Sequence, residues 1–322
     1  MRLKEFDILK GIGILLVVLG HTGISGLPYT YIYAFHMPLF FFVSGCFYKA
    51  YPFKEILKRR SKSLLLPWVS FATLFLLTNT AISYVESNDL TGSLSYNLMA
   101  LDIVDEDSRS LFRTIWFLVS LFEISIIYAL LDKLHLYGKW GGVMICWLSG
   151  NLLSSHIDLP LFFDTSLSCI LYYHLGYEFI HSDYYKRDVV KILPWIIVLV
   201  LSAIIVYFRP LVNFSRNVYP WYLPFISVTY VVTLYSLIKQ MMNKLPSFFT
   251  DLLTKLGRDS LIILGFHRFY FILLETIIPF LGIEWLSGLC LCTFKFLLVM
   301  PLVYLIKRPV EKFCPYFYGK TK

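Results

Sequence analysis

The stretch ILKGIGILLVVLGHT, residues 8–22, is the starting point for interpreting this sequence. It carries Lys10 near its beginning, continues as an apolar run and ends at His21. Apolar runs of about 20 residues recur along the chain, and each is long enough as a helix to cross the ~30 Å hydrocarbon core of a bilayer. An ionisable ring at membrane depth is costly, so His21 is a functional candidate.

The composition indicates a membrane protein. Of the 322 residues, 57% are hydrophobic and 16% are charged, whereas soluble domains are roughly half apolar and one quarter charged. Polar and apolar residues do not alternate within these runs, as they would in the strands of a membrane β-barrel, so the runs are interpreted as helices. We therefore predict an all-α fold, a polytopic bundle of transmembrane helices.

The hydropathy pattern predicts about ten transmembrane helices, at residues 11–27, 35–49, 64–84, 112–132, 139–154, 160–180, 192–208, 219–238, 259–279 and 285–306. If the N-terminus is cytoplasmic, the inner loops hold 23 of the 29 Lys and Arg residues and the outer loops hold four. Positive charge is retained on the cytoplasmic side, so we expect both termini there. The same asymmetry explains the net charge of +8 without nucleic-acid binding.

We expect one integral domain over residues 1–322, with no appended soluble domain. The basic start and first apolar stretch lack a small-residue cleavage site, so we expect a retained first helix rather than a signal peptide. The six cysteines are scattered, and no pair has the spacing of metal ligands. The sequence therefore predicts neither a metal site nor a disulfide framework.

Lys10 and His21 are eleven residues apart, which is about three helical turns and roughly 16 Å along the axis. The two side chains therefore lie on one helix face. An elongated ligand could be held by a phosphate at Lys10 and present its far end at His21. The alternative interpretation is that Lys10 is an ordinary cytoplasmic flank and His21 is a snorkelling interfacial residue.

The next segment, YAFHMPLFFFVSGCFYKA (residues 33–50), places His36 at the start of the second span. A short outer turn separates His36 from His21, so two histidines could face one cavity and share proton transfer. Alternatively, His36 is a helix-start residue that contacts backbone or lipid headgroups.

The stretch KRRSKSLLLPW, residues 58–68, carries four cations in five positions before a span. Such a cluster anchors a helix to anionic lipid. Arginine forks also match phosphate oxygens, so the cluster is a candidate polyphosphate site. The sequence contains no glycine-rich nucleotide loop.

These motifs resemble the acyltransferase 3 family of integral membrane acyltransferases, in its fucose 4-O-acetylase-like branch. The residues that carry the resemblance are FDILKGIGILLVVLGH (6–21), FHMPLFFFVSG (35–45) and LKRRSKSLLLPW (57–68), with weaker matches IWFLVSLF from Ile115, DTSLSCILYYHLGYEF from Asp164 and LGRDSLIILGFH (256–267). The resemblance covers nearly the whole chain. The family usually has arginine where this sequence has Lys10.

The resemblance implies transfer of an acetyl group from cytoplasmic acetyl-CoA to a hydroxyl of a cell-envelope or exported glycan on the outer side. His21 would act as general base or carry the acetyl group transiently. Lys10, Arg59, Arg60 and Lys62 would hold the phosphates of CoA. The expected partners are acetyl-CoA, a carbohydrate acceptor and the lipid bilayer of the plasma or inner membrane, and no nucleic acid.

Further site residues follow from the same resemblance. His36 joins His21 as a catalytic candidate, and His267 is a candidate for acceptor contact or proton relay. Ser44 could donate a hydrogen bond to the thioester carbonyl. Trp116 could stack on a sugar or on adenine, or be an interfacial belt residue. The competing interpretations of the whole chain are a secondary transporter or flippase of a polysaccharide export system, and a structural subunit that needs no His21.

Overall fold

The computed structural model describes residues 3–99, 114–154, 156–157, 159–186, 193–208, 221–278 and 288–320. Every regular element within these ranges is helical, and no strand occurs in them. The all-α prediction is confirmed for this part of the chain.

The first half contains eight α-helices: α1 Lys4–Gly20, α2 Leu27–Tyr33, α3 His36–Cys46, α4 Phe53–Arg60, α5 Leu66–Ser87, α6 Leu90–Met99, α7 Trp116–Leu131 and α8 Leu136–Ser154. A π-helical turn, Ser61–Leu65, joins α4 to α5.

The second half contains seven more: α9 Phe163–His181, α10 Asp183–Lys186, α11 Leu193–Phe208, α12 Leu223–Met241, α13 Ser247–Arg258, α14 Ser260–Ile277 and α15 Gly288–Phe313. Two 3-10 turns, Pro160–Phe162 and Pro315–Tyr318, precede α9 and follow α15.

Each of the ten predicted apolar segments overlaps one of these helices. Five further helices lie in segments predicted only to connect the spans: α2, α4, α6, α10 and α13. These helices are too short or too polar to register as spans, and helix formation does not require a continuous apolar run.

Among the described residues, two helices are long and apolar enough on their own to cross a bilayer, Phe53–Val85 and Gly288–Phe313. Trp116–Leu131 and Ile196–Phe208 are apolar but shorter. Many large apolar side chains on the outside of the bundle are exposed, among them Ile197, Val200 and Leu201 on α11 and Leu297 and Leu305 on α15. Exposed apolar surface on this scale is typical of a face that contacts lipid.

Helix α1 lies at the centre of the fold. The acidic residues Glu5 and Asp7 occupy its first turn, where negative charge stabilises the helix by interacting with the helix dipole. Its side chains enter two apolar clusters, one containing Ile14, Val17 and Val18 and the other containing Phe6, Ile8 and Leu9. Because both clusters pack on α1, the ends of this helix are fixed relative to α3, α9, α12 and α14.

The contact of α1 with α13 is a direct backbone approach. A Cβ atom on Gly11 would collide with the carbonyl oxygen of Leu253, and one on Gly257 would collide with the carbonyl oxygen of Asp7. Glycines at both positions therefore let the two helices touch without intervening side chains. This approach brings the residues at the end of α13 beside Lys10.

Candidate active site

His21 and His267 form a hydrogen-bonded pair at one end of α1. The Nδ1 atom of His21 lies 2.9 Å from the Nε2 atom of His267. The two rings are stacked, with centroids 5.0 Å apart and an angle of 29° between their planes. His21 directly follows α1, and its backbone N–H still donates to Val17 and Val18, so the helix end fixes the position of the ring.

The hydrogen-bond pattern assigns the tautomers of both rings. The Nδ1 atom of His267 lies 2.8 Å from the carbonyl oxygen of Ile263, and a carbonyl only accepts, so this nitrogen carries the proton. His267 is fully buried, which disfavours a charged ring. Its Nε2 atom therefore accepts from His21 Nδ1–H, and the lone pair of a neutral His21 lies on Nε2.

His267 thus contacts His21, the predicted base, directly. The sequence marked His267 as a relay candidate but gave no sign that it lies beside His21, 246 positions away. His36, the other catalytic candidate, makes different contacts. Its Nδ1 lies 2.8 Å from the carbonyl oxygen of Ile32, and its ring packs edge-on against Tyr33 at 4.6 Å.

At the other end of the site, Lys10 belongs to a charged triad. Its Nζ atom lies 2.9 Å from one oxygen of Asp7, and Arg258 Nε lies 3.3 Å from the other. Asp7 is buried, with 2% of its surface exposed. Neither partner of this triad was predicted from the sequence, although Asp7 precedes Lys10 by the three-residue spacing of helical ion pairs. The triad keeps one net positive charge.

A cavity of about 190 Å³ lies beside Lys10, enclosed by α1, α3, the π-helical turn, α7 and α14. Most of its lining is apolar, with polar groups from Lys10, Ser44, Ser63 and Ser260. Ser44 therefore shares a cavity with Lys10. A narrow apolar cavity with a few polar groups is suited to a flexible, largely uncharged chain.

This cavity ends short of the histidine pair. Ile14 and Leu264 line it, but neither His21 nor His267 is among the described residues that do. Ile14 precedes His21 by seven residues, about 10 Å along α1. Leu264 precedes His267 by three residues, about 4.5 Å along α14. Along both helices, the histidines therefore lie beyond the residues that line the cavity.

A second cavity, of about 290 Å³, adjoins the first through Ser63, which lines both. Its described lining carries three cations, Lys49, Arg59 and Arg60, and no carboxylate. Arg59 lies over the ring of Tyr51 at 4.5 Å and pairs with Glu55 at 2.6 Å. A cationic cavity with aromatic walls is suited to a nucleotide-like anion.

The other two cations of the basic stretch, Lys58 and Lys62, lie elsewhere. Both are exposed, and neither is among the described residues that line the first or the second cavity. Arg60 donates to the hydroxyl of Tyr173 at 3.3 Å, which ties its guanidinium to α9. Arg59 and Arg60 therefore lie at the second cavity, while Lys62 lies outside both.

A third cavity, of about 460 Å³, is nearly balanced in charge. Its lining includes Lys4, Lys255, Arg258 and Lys307 together with three aspartates. Lys4 pairs with Asp251 at 2.9 Å, and Lys307 pairs with Asp259 at 2.6 Å. These ion pairs offset most of the positive charge of the third cavity. The second cavity is therefore the better candidate site for an anion.

Trp116, the proposed stacking residue, opens α7 and is 6% exposed. Its indole ring lies 6.2 Å from Phe41 and 6.0 Å from Phe162, measured between ring centroids. The ring therefore packs within an aromatic cluster that joins α3, α7 and the turn before α9.

The comparisons with known proteins gave one match. A family model of acyltransferase 3, described as an acyltransferase domain, matches residues 3–308. No curated protein matches the chain. No solved structure matches it. The matched range includes both histidines, the charged triad and all three cavities.

Proposed function

This chain belongs to the acyltransferase 3 family, and from that membership we propose that it moves an acetyl group from acetyl-CoA to a hydroxyl of a cell-envelope or exported glycan. The family match establishes a membrane acyltransferase. The acetyl donor, the glycan acceptor and the mechanism below are our proposal. The observation that carries it is the hydrogen bond of 2.9 Å between His21 and His267.

We propose that the chain is a multi-pass protein of the plasma or inner membrane, with ten spans and both termini in the cytoplasm. The distribution of Lys and Arg supports this orientation. The Lys10 end of the site then faces the cytoplasm, where acetyl-CoA is available, and the His21 end lies in the outer half of the membrane, towards the glycan.

The donor would bind along the two joined cavities. The 3′-phosphate and pyrophosphate of CoA would occupy the cationic second cavity, with Arg59, Arg60 and Lys49 as partners. The pantetheine arm would pass Ser63 into the apolar first cavity, where Lys10 and Ser44 offer polar contacts. Lys10 keeps its charge available to an anion because Asp7 is shared with Arg258.

The thioester must then pass Ile14 and Leu264 to reach His21. Both side chains are apolar, line the first cavity and are buried. We propose that the arm displaces them on binding. Acetyl is the smallest acyl group that contains a carbon–carbon bond, so its passage requires the least displacement of Ile14 and Leu264.

In the transfer step, His21 Nε2 takes the proton of the acceptor hydroxyl as that oxygen attacks the thioester carbonyl carbon. The carbon–sulfur bond breaks, CoA leaves as a thiolate, and the imidazolium returns the proton to sulfur. His267 accepts the hydrogen bond from His21 Nδ1–H, which fixes the productive tautomer. In a two-step variant, His21 Nε2 itself attacks the thioester carbonyl carbon, the carbon–sulfur bond breaks and CoA leaves as a thiolate. The acceptor hydroxyl then attacks the acetyl carbon, the bond from that carbon to Nε2 breaks, and the hydroxyl proton passes to the thiolate.

The test uses purified protein in lipid nanodiscs with radiolabelled acetyl-CoA and an envelope glycan extract de-O-acetylated by mild base. We expect label to enter the glycan with the wild type and not with His21→Ala. His135→Ala, an exposed histidine, is the matched control and should retain activity. Glycan transport that needs neither acetyl-CoA nor His21 would instead support a transporter.

A further inference from the structure

The residues after α15 fold back onto the π-helical turn. We call residues 315–320 the C-terminal turn. Gly319 has φ of +65°, a left-handed conformation that side chains disfavour. A Cβ atom there would collide with the carbonyl oxygen of Lys62 and lie 3.0 Å from the Cα atom of Ser63. Glycine is therefore required at this position for two reasons: the left-handed backbone conformation and the close contact with residues 62–63.

The C-terminal turn is held in place independently of this contact. The ring of Phe317 packs edge-on against Phe71 on α5, with centroids 4.7 Å apart, and lies 5.6 Å from Phe266 on α14. Phe71 and Phe266 are buried. Because Phe317 is anchored in the core, Gly319 presses on the π-helical turn from a fixed position.

The π-helical turn contacts the C-terminal turn and also lines the cavities. Ser63 and Leu64 line the first cavity, and Ser63 also lines the second. Helical segments of this kind are wider than an α-helix and are enriched at functional sites. A shift of the backbone at Ser63 would therefore change the shape of both cavities where they share this residue.

We propose that the C-terminal turn is a positioning element that sets the opening at Ser63, with Gly319 as the residue that permits the close contact. Gly319 touches neither donor nor acceptor, so it acts through the backbone of residues 62–63. The inference rests on the proposed function, because the opening at Ser63 is the route assigned there to the pantetheine arm.

The test is Gly319→Ala in the full chain. The Cβ atom should push the π-helical turn, so we expect the KM for acetyl-CoA to rise roughly threefold to tenfold, with kcat and the acceptor KM changed less than about twofold. Gly141→Ala is the matched control, because nothing lies within 4 Å of a Cβ there. Phe317→Ala should act like Gly319→Ala, and Phe317→Leu should restore most donor affinity.

A second measurement separates this inference from the proposed function. Amide hydrogen exchange of residues 61–65 should accelerate in Gly319→Ala and stay unchanged in Gly141→Ala. Unchanged exchange in Gly319→Ala would show that the contact of Gly319 does not constrain the π-helical turn. Faster exchange with an unchanged KM for acetyl-CoA overturns the positioning role. A wild-type protein that transfers no acetyl group from acetyl-CoA overturns the proposed function and the positioning role, while the exchange data still decide the mechanical contact.

Discussion

His21 Nδ1 and His267 Nε2 lie 2.9 Å apart although 246 positions separate the two residues in sequence. The order of hydrogen bonds runs from His21 through His267 to the carbonyl oxygen of Ile263. This order leaves the basic lone pair of His21 on Nε2.

His267→Ala should lower kcat by about 10²-fold, within the range of general acid–base effects, because His21 loses the acceptor that fixes its tautomer. The KM for acetyl-CoA should change little, since His267 lies beyond the end of the donor cavity. Steady-state kinetics in nanodiscs measure both constants. Retention of wild-type kcat would show that His21 works without this partner.

The rate should fall as the pH is lowered between about pH 8 and pH 5, the range in which imidazole titrates. A proton on His21 Nε2 removes the base or nucleophile, so acid inhibits. His267 is fully buried and stays neutral over this range, so it keeps accepting the hydrogen bond from His21. A kcat that increases on acidification would contradict the assignment of His21 as base or nucleophile.

Lys10→Gln should raise the KM for acetyl-CoA by about tenfold, because a hydrogen bond to a charged group contributes about 1.5–3 kcal/mol. Lys10→Arg should keep donor affinity, since a guanidinium retains the positive charge and the N–H donors at this position. Lys54→Gln removes an exposed cation of α4 and is the control for net charge. Equal KM values for Lys10→Gln and Lys54→Gln would show that Lys10 does not contribute to donor binding.

Asp7→Asn should destabilise the protein by about 1.5–3 kcal/mol, the contribution of hydrogen bonds to a charged group, because the buried Asp7 carboxylate pairs with both Lys10 and Arg258. Asp251→Asn is the control, since it also breaks an ion pair, with Lys4, but at an exposed position. An exposed pair contributes at most about 1 kcal/mol. Thermal unfolding in detergent compares the two variants, and equal losses would show that the burial of Asp7 does not matter.

Leu264→Ala should let the enzyme use propionyl-CoA, because it shortens a side chain at the end of the first cavity. One methylene in an apolar pocket changes discrimination by roughly 10- to 200-fold. The ratio of kcat/KM for acetyl-CoA to that for propionyl-CoA should therefore fall. Leu273→Ala, at an exposed position of the same helix, should leave the ratio unchanged.

Much of the local structure could be predicted from the sequence. The apolar runs coincide with helices, and Lys10 and His21 flank the run of α1 as their spacing indicates. The helices α2, α4, α6, α10 and α13 were not predicted, because their segments are too short or too polar to register as spans. In α13 the buried face is made by its contact with α1, through Gly11 and Gly257, and no feature of the segment alone reveals that partner.

The candidate site, like the fold, could be predicted only in part from the sequence. By itself the sequence determined an all-helical chain, a family and one helix with a cation before its apolar run and a histidine after it. The tertiary structure alone decided that His267 pairs with His21, that Arg258 shares Asp7 with Lys10, and that Gly319 contacts residues 62–63. Helix formation depends on hydrogen bonds four residues apart, so a short window of sequence specifies it. Which helix faces meet depends on side-chain packing summed over the whole chain, so those partners appear only when the chain is folded.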